Sequence, residues 1–359
     1  MTKYLYYPGC SMDGTGRAYA SSLGAVAQEL DMDLEELDDW NCCGAFEYFA
    51  LSQTRAHALV GRNLALGERQ ADGSRTLLAA CSACYLNLAK TDHELRQDPA
   101  LEARINTALA AGGLHYTPGA LEVRHLFEVL VRDVGIPEIA RHVIHPLEGL
   151  RVAPYLGCLV TRPDLDGRWE AHEQPRAFDQ LLAALGAEVV DFPLRTACCG
   201  GHMSQISPNT GFELIRRLLD SATRLEADLI ATVCPMCQMN VDIYQPELNR
   251  HFGTSYRMPI LFFTQLMGLA FGEAPERLGI GLELVSARPA LARVEALASA
   301  VEAAAGAEGG ADGGAEAGAV GATATTGAAT AVAARPHRPK RASGLPLPRM
   351  PEPPTGLAR

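Results

Sequence analysis

All ten cysteines of the chain fall into two sets of five with the same internal order. The first set is Cys10, then Cys42-Cys43-Gly44, then Cys81-Ser82-Ala83-Cys84. The second is Cys158, then Cys198-Cys199-Gly200, then Cys234-Pro235-Met236-Cys237. A lone cysteine, a vicinal pair followed by glycine, and a Cys-x-x-Cys, given twice with none left over, is a pattern of metal ligands. Thiolates are soft donors that suit zinc and iron–sulfur clusters alike. Vicinal pairs suit disulfides poorly, and a reducing compartment keeps thiols free. Five thiols per set exceed the four that a structural zinc or a cubane four-iron cluster takes. The surplus implies an unusual cluster or a spare thiol with a chemical task. Spacing favours iron–sulfur, with zinc in one or both sites as the alternative.

The segments between the cysteines read as alternating strand and helix. In the first half, residues 3–7 form a strand closed by Pro8-Gly9. Residues 17–30 form a helix, with Tyr19, Leu23, Val26, Ala27 and Leu30 at helical spacing. A weaker strand over 33–37, a helix over 54–70 and a strand over 75–80 follow, the last delivering Cys81. The second half repeats this order, with strands over 150–156, 188–192 and 227–233 and helices over 175–185 and 208–225. Such alternation implies parallel strands joined by crossover helices. The fold class is therefore α/β, two Rossmann-like parallel-sheet domains related by internal duplication. Parallel strands point one way, so cysteines placed after three strand ends emerge at one sheet edge, where open α/β sheets bind ligands. Each cysteine group also precedes a helix, whose N-terminus favours thiolate. Gly9, Gly44, Gly157, Gly200 and Gly201 let backbone N–H groups approach sulfur closely.

The expected organisation is a first cysteine-rich domain over 1–96, a helical connector over 97–148, a second cysteine-rich domain over 149–285, and a tail over 286–359. The second domain is expected to close with an apolar helix over 259–272. The tail is mostly Ala and Gly over 303–334, then Pro-rich and basic, a composition expected to be disordered. A net charge of −11 over 359 residues argues against a nucleic-acid-binding surface. No apolar signal region follows Met1, and the stretch over 261–272 is too short to span a bilayer. The expectation is a cytoplasmic protein with no transmembrane segment. His202 is a candidate proton donor, set against an ordinary packing role. Tyr6, Tyr7 and Tyr155 line either a substrate edge or the core, and Trp40 shields the adjacent Cys-Cys pair.

At this point the residues carry a resemblance. The segments are Tyr7-Pro8-Gly9-Cys10-Ser11, Asp39-Trp40-Asn41-Cys42-Cys43-Gly44-Ala45, Ala197-Cys198-Cys199-Gly200, Cys234-Pro235-Met236-Cys237-Gln238-Met239-Asn240 and Phe263-Thr264-Gln265-Leu266. Over residues 1–285 the chain resembles the B-subunit of heterodisulfide reductase, a family of duplicated CCG cysteine-rich domains. The resemblance implies a non-cubane 4Fe–4S cluster in each half. Cys10, Cys42, Cys43, Cys81 and Cys84 would hold one, and Cys158, Cys198, Cys199, Cys234 and Cys237 the other. It further implies that the clusters face each other and split a small disulfide, with Cys10, Cys42, Cys43, Cys158, Cys198 and Cys199 at the catalytic positions. The activity implied is that of an oxidoreductase acting on sulfur groups, working within a complex. Electrons would arrive from a ferredoxin-like partner of the same complex and in some cases from a flavin-bearing one. This chain shows neither ferredoxin motifs nor a dinucleotide fingerprint, as suits a component that relies on partners. Two other readings stand beside this one. One is a CCG electron-transfer component of a quinone-linked enzyme of succinate, lactate, glycolate or glycerol 3-phosphate. The other is a zinc-bound scaffold.

Overall fold

Two parallel four-stranded sheets carry the ten cysteines. The computed structural model describes residues 2–293, except 46, 73, 74, 164 and 166–168, so most of the expected disordered tail lies outside the described residues. The first sheet comprises β1 (Thr2–Tyr7), β2 (Met32–Glu36), β3 (Thr76–Ala79) and β4 (Glu122–His125) in the order β2-β1-β3-β4. The second comprises β5 (Arg151–Tyr155), β6 (Glu188–Val189), β7 (Leu229–Thr232) and β8 (Ile260–Phe262) in the order β6-β5-β7-β8. Every neighbouring pair is parallel. The duplication therefore extends to strand order, and the fold is α/β throughout.

Helices cover both faces, and this burial is why the central strands are apolar rather than alternating. Leu77, Leu78 and Ala79 of β3 and Leu229, Ile230 and Ala231 of β7 are all fully buried. The helix Pro208–Arg224 begins with proline in its first turn, where no N–H is needed. It turns Phe212, Ile215, Leu218, Leu219 and Ala222 inward at helical spacing.

Three elements differ from the sequence expectation. The expected helical connector over 97–148 contains β4, whose pairs Thr76↔Glu122 to Ala79↔His125 join it to β3. A π-helix over Leu130–Gly135 follows. The apolar run over 259–272 begins as β8 and turns into the helix Phe263–Ala270, started by Gln265 Oε1 accepting from Phe262 N at 2.8 Å. A short run that is apolar on every side carries no periodicity to separate strand from helix. Finally, β6 is two residues long. After Val190 N donates to Val152 O, Phe192 N turns back onto Val190 O, and Pro193 follows.

Each of two hydrophobic clusters draws side chains from both halves. The helix Arg17–Glu29 packs on Phe263–Ala270, with Ser22 Oγ 2.7 Å from Thr264 Oγ1. The Tyr19 ring stacks on Phe262 at 4.4 Å between centroids, only 11° from parallel. The chain remains packed as far as Leu291, since Ala287, Ala290 and Leu291 are buried. Among the described residues no helix is long and apolar enough to cross a membrane.

Candidate metal centre

In both halves the sulfurs gather where β-strands end. β1 stops at Tyr7, and Pro8-Gly9 turns the chain into Cys10. β3 delivers Cys81 to the N-cap of the helix Ser82–Gln97, which places Cys84 in its first turn. β5 and β7 do the same for Cys158 and for Cys234, which caps Pro235–Ile243. The vicinal pairs arrive on loops after β2 and β6. Gly9 and Gly157 have φ of +73° and +75°, in the left-handed region that glycine enters without strain. A Cβ on Gly9 would stand 2.9 Å from Cys84 Sγ, and one on Gly157 3.2 Å from Cys237 Sγ. These turns are shaped to bring backbone against sulfur.

Each Cys-Cys loop is fixed by the same two side chains. Tyr7 donates from its hydroxyl to Asn41 O at 2.8 Å, and Tyr155 to Ala197 O at 2.8 Å, in each case the residue before the pair. Asn87 donates to Cys43 O at 3.3 Å and Ala45 O at 2.8 Å. Asn240 donates to Cys199 O at 3.1 Å and Gly201 O at 2.5 Å. Gly44 N points at Cys42 Sγ (3.4 Å), Gly200 N at Cys198 Sγ (3.3 Å) and Gly201 N at Cys199 Sγ (3.4 Å). Both tyrosines belong to the core, yet their hydroxyls do site work. The sequence reading weighed substrate edge against core and missed this role. The two asparagines could have been found from their common position, three residues after the last cysteine of each set.

The sulfurs lie in touching groups. Cys10 and Cys42 are 3.6 Å apart, Cys43 and Cys84 3.5 Å, and Cys199 and Cys237 3.5 Å. Cys158 and Cys198 are near enough to shift each other's ionisation. All ten are free thiols. Cys43, Cys81, Cys84, Cys199, Cys234 and Cys237 are buried, Cys158 is half-buried, and Cys10, Cys42 and Cys198 are exposed. In such groups one sulfur ionises at its neighbour's expense. The Cys10 hydrogen bond pulls the Cys42 thiol down to about 2, while Cys10 is pushed up by that bond and by burial. The Cys158 thiol and the Gly200 N–H bring Cys198 down to about 6. The Cys42 thiol raises Cys43 to about 11. Crowded thiols of this kind repel as thiolates unless cations sit among them, so the donor set fits a thiolate-bound metal group. Among the described residues no three His, Cys, Asp or Glu side chains converge on a single ion position.

The two sites meet. Cys81 of the first and Cys234 of the second are buried side by side closely enough that each shifts the other's ionisation. Tyr19, fully buried, holds its hydroxyl 3.3 Å from Ala80 O and 3.2 Å from Val233 O, the carbonyls preceding those two cysteines. On the solvent side, His202 Nδ1 contacts the Glu47 carboxylate, linking the segments that follow the two Cys-Cys-Gly loops. Trp40 packs edge-on against the Tyr7 ring at 5.5 Å. A further buried histidine, His125, was not singled out from sequence. It ends β4, and burial pushes its ring down to about 4, so it is neutral.

The comparisons with known proteins agree with this geometry. The family described as CCG, cysteine-rich domain, matches residues 4–89 and 152–242. The 8-methylmenaquinol:fumarate reductase membrane anchor subunit of Wolinella succinogenes is 33% identical over 285 residues, covering 79% of this chain and 98% of that one. The ferredoxin:CoB-CoM heterodisulfide reductase B-subunit of Methanosarcina mazei is 32% identical over 306 residues, covering 84% and 100%. A protein of Archaeoglobus profundus named as heterodisulfide reductase B-subunit-like is 28% identical over 282 residues, covering 77% and 93%. Among solved structures, a hypothetical protein from Helicobacter pylori superposes with a TM-score of 0.65 at 14% identity over 79% of this chain, and this chain spans 53% of that one. The last likeness speaks for the fold alone. With two cysteine-rich repeats and relatives matched along nearly their whole length, the chain belongs to the heterodisulfide reductase B-subunit family of duplicated CCG proteins.

Proposed function

We propose that this chain reduces a small disulfide to two thiols at paired non-cubane 4Fe–4S clusters, as the iron–sulfur component of a heterodisulfide reductase-like complex. The observation that carries this reading is the closeness of the two sites, since one Tyr19 hydroxyl reaches both Ala80 O and Val233 O, the carbonyls just before Cys81 and Cys234. Two electrons and two protons turn one disulfide into two thiols, and paired clusters, if bound, would supply those electrons one at a time. Cys10, Cys42, Cys43, Cys81 and Cys84 would hold one cluster, and Cys158, Cys198, Cys199, Cys234 and Cys237 the other. Cys10, Cys42 and Cys198 are exposed and Cys158 half-buried, so a disulfide approaches from their side. Cys43 and Cys199 stand directly behind them. The buried Cys81 and Cys234 keep water from the line between the sites. His202, held by Glu47 at the exposed side, is placed to pass a proton to a product thiolate. Reduction occurs in the cytoplasm, with electrons from a ferredoxin-like or a flavin-bearing partner in the same complex.

Iron and sulfide analysis of anaerobically purified protein tests this, with EPR spectra after oxidation with and without added thiol. Two four-iron clusters and a thiol-dependent signal are expected, and both the signal and disulfide reduction by the assembled complex should vanish in Cys42→Ser plus Cys198→Ser. Full-rate reduction in that double variant would sink the reading. A second reading is favoured by the similarity to the Wolinella protein, whose name is that of a methylmenaquinol:fumarate reductase component. In it the chain relays electrons in a quinone-linked enzyme and cleaves no disulfide. Clusters indifferent to thiol, with quinol-dependent reduction, would favour it. Zinc in either half would make the chain a scaffold.

A further inference from the structure

We propose that the Thr232 hydroxyl donates a hydrogen bond to the sulfur-bearing metal group of the second site, a contact for which the first site has no counterpart. The proposal rests on the reading of an iron–sulfur cluster in each half. It adds to the second a residue from outside the cysteine sets.

Threonine is an ordinary strand residue, but a hydroxyl deep inside a sheet needs a partner. Thr232 ends β7 and is fully buried. Its Oγ1 has no hydrogen-bond partner among the described residues. Valine has nearly the same shape and no polar group to desolvate, so within the protein alone this hydroxyl only costs stability. Arg162 Nε, Asp179 Oδ2, Arg195 Nε and Ser204 Oγ are also buried without a partner. The first three belong to side chains held in ion pairs through their other atoms. Ser204 Oγ turns to the helix Pro208–Arg224, where a Cβ on Gly211 would stand 2.5 Å from it. Neither account applies to Thr232.

Strand geometry aims the side chain. Alternate residues of β7 face opposite ways, so Leu229 and Ala231 join one cluster while Ile230 joins the other with Tyr155, Cys199, Cys234 and Cys237. Thr232 follows Ile230 by two positions and therefore lies on the cysteine side. It stands two residues before Cys234 and pairs in register with Tyr155, on a strand about 4.8 Å away. The Tyr155 hydroxyl is itself 3.9 Å from Cys237 Sγ, with its proton committed to Ala197 O. Asn240 Nδ2, from the same side, lies 3.7 Å from Cys199 Sγ. The Thr232 hydroxyl can rotate to whichever sulfur of the group accepts it.

The internal repeat marks the difference between the sites. Tyr7 pairs with Ala79 in the first half as Tyr155 pairs with Thr232 in the second. Alanine brings no donor. A hydrogen bond donated to cluster sulfur stabilises the more negative, reduced form and raises the potential. Thr232 exerts that pull on the second site alone.

The test is an EPR-monitored redox titration of the iron-loaded full chain, with iron content measured first. The signal that Cys198→Ser removes or alters marks the second site. Thr232→Val should lower the midpoint of that signal, changing the ratio of reduced to oxidised second cluster about tenfold at fixed potential. That is a fall of about 59 mV for a one-electron couple. The first-site midpoint should not move, and Thr232→Ser, which keeps the hydroxyl, should stay near wild type. Unmoved midpoints, a shift at the first site, or equal shifts in the valine and serine variants would overturn the assignment. If Thr232→Val holds less iron, the loss must come from the second site alone and be absent from Thr232→Ser. Any other pattern of loss overturns the assignment as well. A wild-type chain that takes up no iron would instead bring down the cluster reading itself.

Discussion

Tyr155 donates to Ala197 O at 2.8 Å, from a ring that is almost completely buried. The bond ties the end of β5 to the loop that presents Cys198 and Cys199. Tyr155→Phe keeps the ring and leaves a carbonyl without its partner, which costs about 1–3 kcal/mol. The expected result is a lower urea midpoint together with loss of metal from the second site only. Equal loss from both sites would mean that the tyrosine supports the core and not the loop.

Gly9 and Gly157 face their cysteines at different clearances. Alanine at either position meets a strained φ, and the added Cβ crowds Cys84 Sγ at 2.9 Å but Cys237 Sγ at 3.2 Å. Gly9→Ala should therefore empty the first site more completely than Gly157→Ala empties the second. Iron and sulfide per chain measure this directly, and the reverse order would contradict the geometry.

Arg195 is a buried cation behind the second site. Its guanidinium donates to Gln174 Oε1 at 2.9 Å and to Asp179 and Asp191 at 3.1 Å, and its carbonyl accepts from Leu156 N and Gly157 N just before Cys158. Arg195→Met leaves the mostly buried Asp179 facing no guanidinium on that side, a loss of about 3 kcal/mol. Adding Asp179→Leu should recover part of it. Chemical denaturation of the single and double variants gives the comparison, and additive losses would show that the pair is not coupled.

Asp242 predicts a pH effect away from the cysteines. Burial raises its pKa above the ordinary 3.8, against the opposing bonds from Leu284 N and Val285 N. A carboxyl raised in the folded state binds its proton more tightly there than in the unfolded chain. Its contribution to stability is therefore complete below 3.8 and is lost as pH rises through the folded value. Relative to Asp242→Asn, wild type should lose denaturant resistance as pH climbs from 3.8 into the mildly acidic range. Parallel curves for the two proteins would contradict this.

The cysteine pattern, with the alternation of strand and helix between the cysteines, was enough to read two repeats, parallel strands and sulfurs gathered at strand ends, because ligand spacing and apolar periodicity are both written locally. Other features depended on contacts distant in sequence. β4 and β8 are three- or four-residue strands whose only signal is the neighbour they pair with. The roles of the Tyr7 and Tyr155 hydroxyls were hidden because an apolar strand position looks the same whether or not its tip reaches a carbonyl. His125 was invisible for a related reason: its partner Ser82 lies on another element. His202 was legible as a candidate, but its partner Glu47 sits 155 positions away.

The sulfurs are graded from exposed Cys10, Cys42 and Cys198 to fully enclosed Cys81 and Cys234. Each site thus has a weathered end and a sheltered end. Dioxygen reaching the protein meets the exposed ligands first, well before the seam between the halves, where Tyr19 is sealed from solvent. Corrosion should begin at the rim and leave the joint for last. A preparation damaged by air would then lose its exposed thiols before it loses the shape that holds its halves together.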